Sequence, residues 1–117
     1  MTAELDSNDH VLLFHPTGSR YICDPPQMHT DIDTVILAKP GYQDQLRKEG
    51  WDTSSTEPEY ESTGGFTSWR KGEENYIVTE EPDFYHRFVK ATELAKQSNL
   101  TAKADRIALF QRILYDA

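Results

Sequence analysis

Two short segments of this sequence carry side chains suited to holding a phosphate and a metal ion. Gly18, Ser19 and Arg20 stand together, and eleven residues separate Ser19 from Asp31, which is followed two positions later by Asp33. Glycine lets a backbone approach a ligand, and serine and arginine donate hydrogen bonds to phosphate oxygens. Two aspartates at i and i+2 on a strand project to the same face, where they can share a cation. Mg²⁺ prefers such carboxylate oxygens and completes its shell with water and substrate phosphate.

Two predicted strands must place these segments next to each other. Residues 11–14 form a short apolar run that stops at Pro16 and Gly18, which favours a buried strand over a helix. Residues 31–39 are rich in β-branched side chains and are bounded by Pro40 and Gly41, which predicts a second buried strand. The glycine therefore follows the first strand, while the Asp-x-Asp pair opens the second. Two metal ions held there could align an attacking hydroxyl with a leaving pyrophosphate.

This arrangement resembles the DNA polymerase β-like nucleotidyltransferase superfamily. The family motif is a hydrophobic strand, Gly-Ser, a spacer of about a dozen residues, and Asp-x-Asp in a second hydrophobic strand; here it reads LLFHPTGSR and then DIDTVIL. Residues 18–26 and 103–111 also look like blocks of small predicted nucleotidyltransferases of tailed bacteriophages. The resemblance implies Mg²⁺ bound by Asp31 and Asp33, and triphosphate oxygens held by Gly18, Ser19 and Arg20. It also implies action in the cytoplasm, of the host if the protein is phage-encoded.

The chain departs from the family pattern at two places. The family sets a third carboxylate on a later strand, and here that strand begins Glu73-Glu74-Asn75. Register allows either Glu74 or Asn75 at that point, and the two side chains project to opposite faces. Glu74 would complete a catalytic triad with Asp31 and Asp33, whereas Asn75 would leave the general base missing. The second departure is the His-Pro-Thr insertion at 15–17, which is expected to alter the turn before Gly18.

The remaining elements give an α+β pattern. Residues 42–49, closed by Gly50, suit a short helix, and 66–69 with 75–79 flank a turn-like segment and predict a hairpin. Pro82 and Asp83 open a helix whose apolar stripe is Phe84, Phe88, Ala91 and Ala95, and a last helix repeats Ile107, Phe110 and Leu114. The predicted order is β, β, α, β, β, α, α. With the resemblance, we expect a minimal nucleotidyltransferase-like mixed sheet, helices on one side and a C-terminal helical pair.

Charge and length exclude several other functions. The chain has 117 residues and a formal net charge of −8, and the whole excess lies in residues 1–64, which hold twelve acidic and four basic side chains. One small acidic domain disfavours bulk binding to duplex DNA or to anionic membrane. Nothing in the sequence predicts a bilayer span or a signal peptide. Residues 1–9 are expected to form a flexible tail and 52–65 a flexible acidic loop.

Several of these residues also have an interpretation that involves no ligand. Asp31 and Asp33 are also compatible with surface positions at a strand start, and Arg20 with an ordinary solvated side chain. The four histidines lack the spacing of a zinc site, and the single cysteine, Cys23, is typical of a small buried apolar residue.

Two classes of function stay open at this point. The first is a Mg²⁺-dependent nucleotidyltransferase that moves an NMP from an NTP to a hydroxyl of a protein or RNA. The second is a protein that keeps this fold, has weak or no activity, and binds a host or phage protein; an antitoxin-like modifier of a partner is a related case. A domain this small encloses little of a base, so a homodimer or a partner is one way to complete the pocket.

Overall fold

The computed structural model describes Leu5 and residues 8–25, 32–53 and 66–115. Asp31, most of the predicted N-terminal tail and nearly all of the predicted acidic loop lie outside these residues. The strands are β1 (Val11–Thr17), β2 (Ile32–Ala38), β3 (Thr67–Lys71) and β4 (Glu74–Thr79). The helices are α1 (Ser19–Ile22), α2 (Tyr42–Lys48), α3 (Pro82–Gln97) and α4 (Lys103–Tyr115).

The four strands form one mixed sheet in the order β1-β2-β4-β3. β1 and β2 are antiparallel, β2 and β4 are parallel, and β3 and β4 form the predicted antiparallel hairpin. Because β2 and β4 run in the same direction, their first residues meet at one end of the sheet, and Asp33 lies opposite Asn75. Thr17, the last residue of β1, lies opposite Asp33 at the same end. This pairing places the end of β1 next to the start of β2.

Alternation along the central strands divides the core into two clusters. On one face, Val35 and Leu37 of β2 pack with Phe88 and Ala91 of α3 and with Phe110 of α4. On the other face, side chains of the intervening positions pack with α2; this cluster contains Ile36, Ala38, Tyr42, Leu46, Trp69, Tyr76 and Val78. Burial of both faces explains why β2 reads as a near-continuous apolar run. The sheet is therefore enclosed by α3 and α4 on one side and by the short α2 on the other.

The α+β class, the mixed sheet and the C-terminal helical pair are confirmed. Pro82 occupies the first turn of α3, and the Glu81 amide donates to Thr79 Oγ1 at 3.1 Å just before it. The expectation of helices on one side holds for α1, α3 and α4, whereas α2 covers the opposite face. α1 was not predicted, because its four residues are too short to show a helical period. β1 also continues through Pro16, which an edge strand tolerates.

Candidate functional site

The turn after β1 brings Gly18 against the carboxyl group of Asp33. Gly18 has φ 77° and ψ −177°, a conformation that side chains other than glycine rarely adopt. A Cβ at this position would lie 2.8 Å from Cγ and 2.9 Å from Cβ of Asp33, and closer still to Oδ2. The glycine is thus required both by the backbone and by the space that the aspartate occupies. The two halves of the sequence motif, separated by a short spacer along the chain, meet at this contact.

Asn75 supports Asp33 from the neighbouring strand. The two residues are register partners on β2 and β4, and Asn75 Nδ2 donates to Asp33 Oδ1 at 3.1 Å. The other end of the amide, Asn75 Oδ1, is buried and accepts no hydrogen bond from any residue that the structure describes. A buried amide oxygen without a donor costs free energy, and such atoms commonly face a water or ion that completes their bonding. The structure therefore brings an amide, rather than a third carboxylate, to Asp33.

Glu74 lies on the opposite face of the sheet. It pairs in register with Ile32 and Lys71, and it lines a cavity of about 760 Å³ together with Tyr42, Trp51 and Tyr76. The structure does not bring Glu74 to Asp33, so a catalytic role beside Asp33 finds no support in this geometry. The one-residue ambiguity in the sequence is resolved in favour of Asn75 as the neighbour of Asp33.

Ser19 and Arg20 follow Gly18 directly and begin α1. Ser19 is buried, with 7 % of its surface exposed, and its carbonyl accepts from the Cys23 amide at 3.1 Å. The Gly18 carbonyl accepts from the Tyr21 amide at 3.1 Å, which fixes the direction in which the chain leaves the glycine. Arg20 is half-exposed on the same turn. Both residues thus lie within three positions of Gly18, and their role in phosphate binding stays a prediction.

A chain of hydroxyl groups attaches this end of β1 to α3. Thr92 Oγ1 donates to the Phe88 carbonyl at 2.9 Å, and Thr17 Oγ1 lies 2.8 Å from Thr92 Oγ1. A hydroxyl has a single proton, so Thr17 donates to Thr92 and Thr92 donates to Phe88. Both threonines are buried. Sequence analysis missed Thr92, although its position next to Ala91 in the predicted core stripe is a signal of burial.

Replacing Thr92 by valine is expected to destabilise the protein by about 1–3 kcal/mol, because the buried Thr17 hydroxyl loses its acceptor. Chemical denaturation with urea measures the change. The double variant Thr17→Val/Thr92→Val removes both hydroxyls and should recover part of the lost stability. If the double variant lost more unfolding free energy than the two single variants lose together, this assignment would be contradicted.

A second set of polar contacts joins α3 to the turn after β1. The Tyr21 hydroxyl donates to Glu93 Oε2 at 2.9 Å, and His15 Nε2 lies 3.9 Å from Glu93 Oε1. Lys96 Nζ donates to the Tyr21 carbonyl at 2.8 Å and lies 4.4 Å from the centre of its ring. Burial raises the pKa of the Tyr21 hydroxyl, and the bond to Glu93 raises it further. These contacts hold α1, and with it Ser19 and Arg20, against α3.

The donor atoms at the site suit one hard divalent cation bound by few protein ligands. Asp33 offers carboxylate oxygen and Asn75 offers its unpaired amide oxygen, both of which Mg²⁺ and Ca²⁺ accept as ligands. Within the described part of the chain, no group of three or more His, Cys, Asp or Glu side chains is placed to hold a metal ion. Asp31 lies outside the described residues, and its role as a ligand stays a prediction. Water and substrate phosphate would have to supply the remaining ligands.

Comparisons with known proteins do not identify a family for this arrangement. No protein-family model, no curated protein and no solved structure significantly matches the chain.

The helices of the described residues were also compared with the length and polarity that a bilayer span requires. Among residues 5, 8–25, 32–53 and 66–115, the helices are too short or too polar for any of them to cross a bilayer.

Proposed function

We propose that this protein binds a nucleoside triphosphate with Mg²⁺ beside Asp33 and transfers its NMP to a hydroxyl group of a protein or RNA. The observation that carries the proposal is the contact of Gly18 with the Asp33 carboxyl group. The same contact joins the two segments whose residue types suit phosphate and metal binding. Only glycine suits both this backbone conformation and this close contact, so the residue type at position 18 is tied to the carboxylate at position 33.

Each residue of the site has a defined part in this proposal. Asp33 supplies carboxylate oxygen, and the hydrogen bond from Asn75 holds that carboxylate in one orientation. The buried Asn75 Oδ1 supplies a second oxygen. Gly18 leaves its backbone accessible to phosphate oxygens, to which Ser19 and Arg20 add a hydroxyl and a guanidinium. A bound Mg²⁺ would neutralise phosphate charge and thereby favour departure of pyrophosphate.

The transfer exchanges a phosphoanhydride bond of the NTP for a phosphodiester bond to the acceptor. The acceptor oxygen bonds to the α-phosphorus, the bond from that phosphorus to the bridging oxygen breaks, and pyrophosphate leaves with the bonding electrons. The acceptor proton must go to a base, and an amide at position 75 cannot accept it. In this proposal the proton therefore passes to solvent, and the transfer is slow compared with that of an enzyme that has a carboxylate there.

A second candidate function rests on the same amide. If transfer requires a protein side chain to accept the proton, and none is placed to do so, the domain binds a nucleotide or a partner protein and performs no transfer. The Asp33–Asn75 hydrogen bond favours this alternative, because it occupies the position where the resemblance expects a third carboxylate. The two candidates differ in a measurable product, pyrophosphate, and in covalent labelling of an acceptor.

The first test is incubation of the protein with each α-³²P-labelled NTP and Mg²⁺, with cell proteins and RNA as acceptors. The proposal predicts label in one macromolecular acceptor, release of pyrophosphate, and loss of both when Mg²⁺ is chelated. Absence of label together with Mg²⁺-dependent nucleotide binding in calorimetry would support the binding-protein alternative. Absence of both label and nucleotide binding would refute the proposed site.

Replacing Asn75 by aspartate is expected to increase transfer by about tenfold or more, because it supplies a general base of nearly the same shape beside Asp33. The new charge also repels Asp33, so the variant should be less stable without Mg²⁺ and gain more thermal stability from Mg²⁺ than the wild type. Glu74→Gln, on the other face of the sheet, is the control and should change neither quantity. An Asn75→Asp variant with unchanged activity and an unchanged response to Mg²⁺ would contradict this role.

A further inference from the structure

One row of side chains crosses all four strands at the end of the sheet where β2 and β4 begin. Thr17 of β1 lies opposite Asp33 of β2, and Asp33 lies opposite Asn75 of β4. Asn75 in turn lies opposite Arg70 of β3. Directly paired residues on antiparallel strands project to the same face of a sheet, with Cβ atoms about 5 Å apart. Asn75 therefore has a basic side chain as its next neighbour, on the side away from Asp33.

The adjacent positions show which face of the sheet Arg70 occupies. Trp69 and Tyr76, the next register pair, both belong to the cluster that packs with α2. Side chains alternate between faces along a strand, so Arg70 and Asn75 project to the opposite face, the one that α3 covers. Ser68, two positions earlier on that face, is buried, whereas Arg70 is half-exposed. Arg70 thus lies where the cover over this face ends, at a position that a ligand can reach.

The backbone of Arg70 is held from both sides. Besides its pairing with β4, its amide donates to the Asp52 carbonyl at 2.7 Å, and its carbonyl accepts from the Asp52 amide at 2.9 Å. Asp52 is exposed at the outer edge of the sheet, where solvent screens the charge of its carboxyl group. The guanidinium therefore extends from a fixed point of a strand, which reduces the entropy cost of placing it on a ligand.

The charges along the row indicate what this arginine does. Between β1 and Arg70, the row contains one carboxylate, that of Asp33, and the amide of Asn75. An uncharged amide attracts a second metal ion much less than a carboxylate does. A triphosphate with one bound Mg²⁺ keeps a net negative charge, which a guanidinium can neutralise through paired hydrogen bonds to phosphate oxygens. Arg70 is the cationic group placed beside that amide.

We propose that Arg70 is a further nucleotide-binding residue of this site, and that its guanidinium binds oxygens of the α-phosphate on the side of Asp33 away from the turn after β1. This inference rests on the proposed function, in which that turn holds the other phosphates. The acceptor oxygen attacks in line with the leaving pyrophosphate and so approaches from the side of Arg70. The guanidinium stabilises the charge on the α-phosphate while the new bond forms.

The test is calorimetric titration of the full chain with Mg²⁺ and a non-hydrolysable NTP. Arg70→Gln should weaken binding about tenfold or more, and Arg70→Lys should weaken it less, because an ammonium group keeps the charge without the paired geometry. Lys71→Gln is the matched control: it removes the same charge from the adjacent residue, whose amine donates to the Glu49 carbonyl at 2.8 Å on the other face of the sheet. It should bind nucleotide as the wild type does. Arg70 is half-exposed, so circular dichroism should show an unchanged fold in each variant.

Inorganic pyrophosphate with Mg²⁺ shows which phosphate Arg70 contacts. This probe lacks the α-phosphate, so Arg70→Gln should leave its affinity unchanged, whereas Asp33→Asn should weaken it. Equal losses of NTP and pyrophosphate affinity in Arg70→Gln would overturn the assignment to the α-phosphate.

The same titrations separate this inference from the function on which it rests. If Asp33→Asn loses NTP binding but Arg70→Gln binds as the wild type does, the inference is wrong and the proposed function stands. An equal loss in Arg70→Gln and Lys71→Gln also overturns the inference, because net charge alone would explain it. A wild type that binds no nucleotide overturns both.

Discussion

The Asp33→Asn variant is expected to lose at least about a hundredfold in Mg²⁺-dependent nucleotidyl transfer while it keeps its fold. Asparagine has almost the same shape as aspartate, so the close packing against Gly18 is preserved. The amide lacks the negative charge that a divalent cation and its bound phosphates require. Calorimetric titration with Mg²⁺ and a non-hydrolysable NTP should show a loss of affinity that accompanies the loss of transfer.

The control for this variant is Asp44→Asn. Asp44 is an exposed aspartate on α2 that pairs with Arg47 at 3.0 Å, so its replacement alters the net charge equally without touching the site. Exposed pairs of this kind contribute little to stability. Asp44→Asn should therefore bind nucleotide and transfer it as the wild type does. Equal activity in Asp33→Asn and Asp44→Asn would remove Asp33 from the mechanism.

The Gly18→Ala variant is expected to lose about 3 kcal/mol of unfolding free energy and its nucleotide binding. Part of the loss comes from forcing a side chain into a backbone conformation with φ 77°. The rest comes from the overlap of the new Cβ with the Asp33 carboxyl group, which must move away from Asn75. Urea denaturation measures the first effect, and calorimetry with Mg²⁺ and a non-hydrolysable NTP measures the second.

Gly72→Ala separates the two contributions. Gly72 also has positive φ, at 61°, but a Cβ built there has no neighbour within 4 Å in the described part of the chain. Its replacement should cost about 1–2 kcal/mol through backbone conformation alone and should leave nucleotide binding intact. If Gly18→Ala proved no more harmful than Gly72→Ala in both measurements, the contact with Asp33 would have no functional importance.

The sequence identifies the strand before Gly18 and the strand that contains Asp33 because the signals for each strand are local. An apolar run that stops at Pro and Gly, and a β-branched run that follows Asp33, each indicate a buried strand. Antiparallel pairing of β1 and β2 then brings the end of one strand to the start of the other. The C-terminal helices follow from the same kind of pattern, whereas the mixed sheet was expected from the family resemblance.

The choice between Glu74 and Asn75 lies beyond such signals. Side chains alternate between faces with a period of two, so a shift of one residue exchanges the two positions completely. Neither residue belongs to the apolar pattern, and only the pairing of β2 with β4 decides which one meets Asp33. The hydrogen bond between Thr17 and Thr92 could not be predicted from the sequence for a related reason. It joins residues that are 75 positions apart, so only the tertiary packing brings them together.

A crystal structure of the protein with Mg²⁺ and a non-hydrolysable NTP tests directly whether nucleotide binds beside Asp33. We expect a cation on the Asp33 carboxylate, with Asn75 Oδ1 facing it, and triphosphate oxygens along the backbone of Gly18 and Ser19. The same map would show whether Asp31 supplies a second carboxylate. A triphosphate bound elsewhere, for example in the cavity lined by Glu74 and Trp51, would contradict the proposed site, as would crystals that take up no nucleotide at saturating concentration.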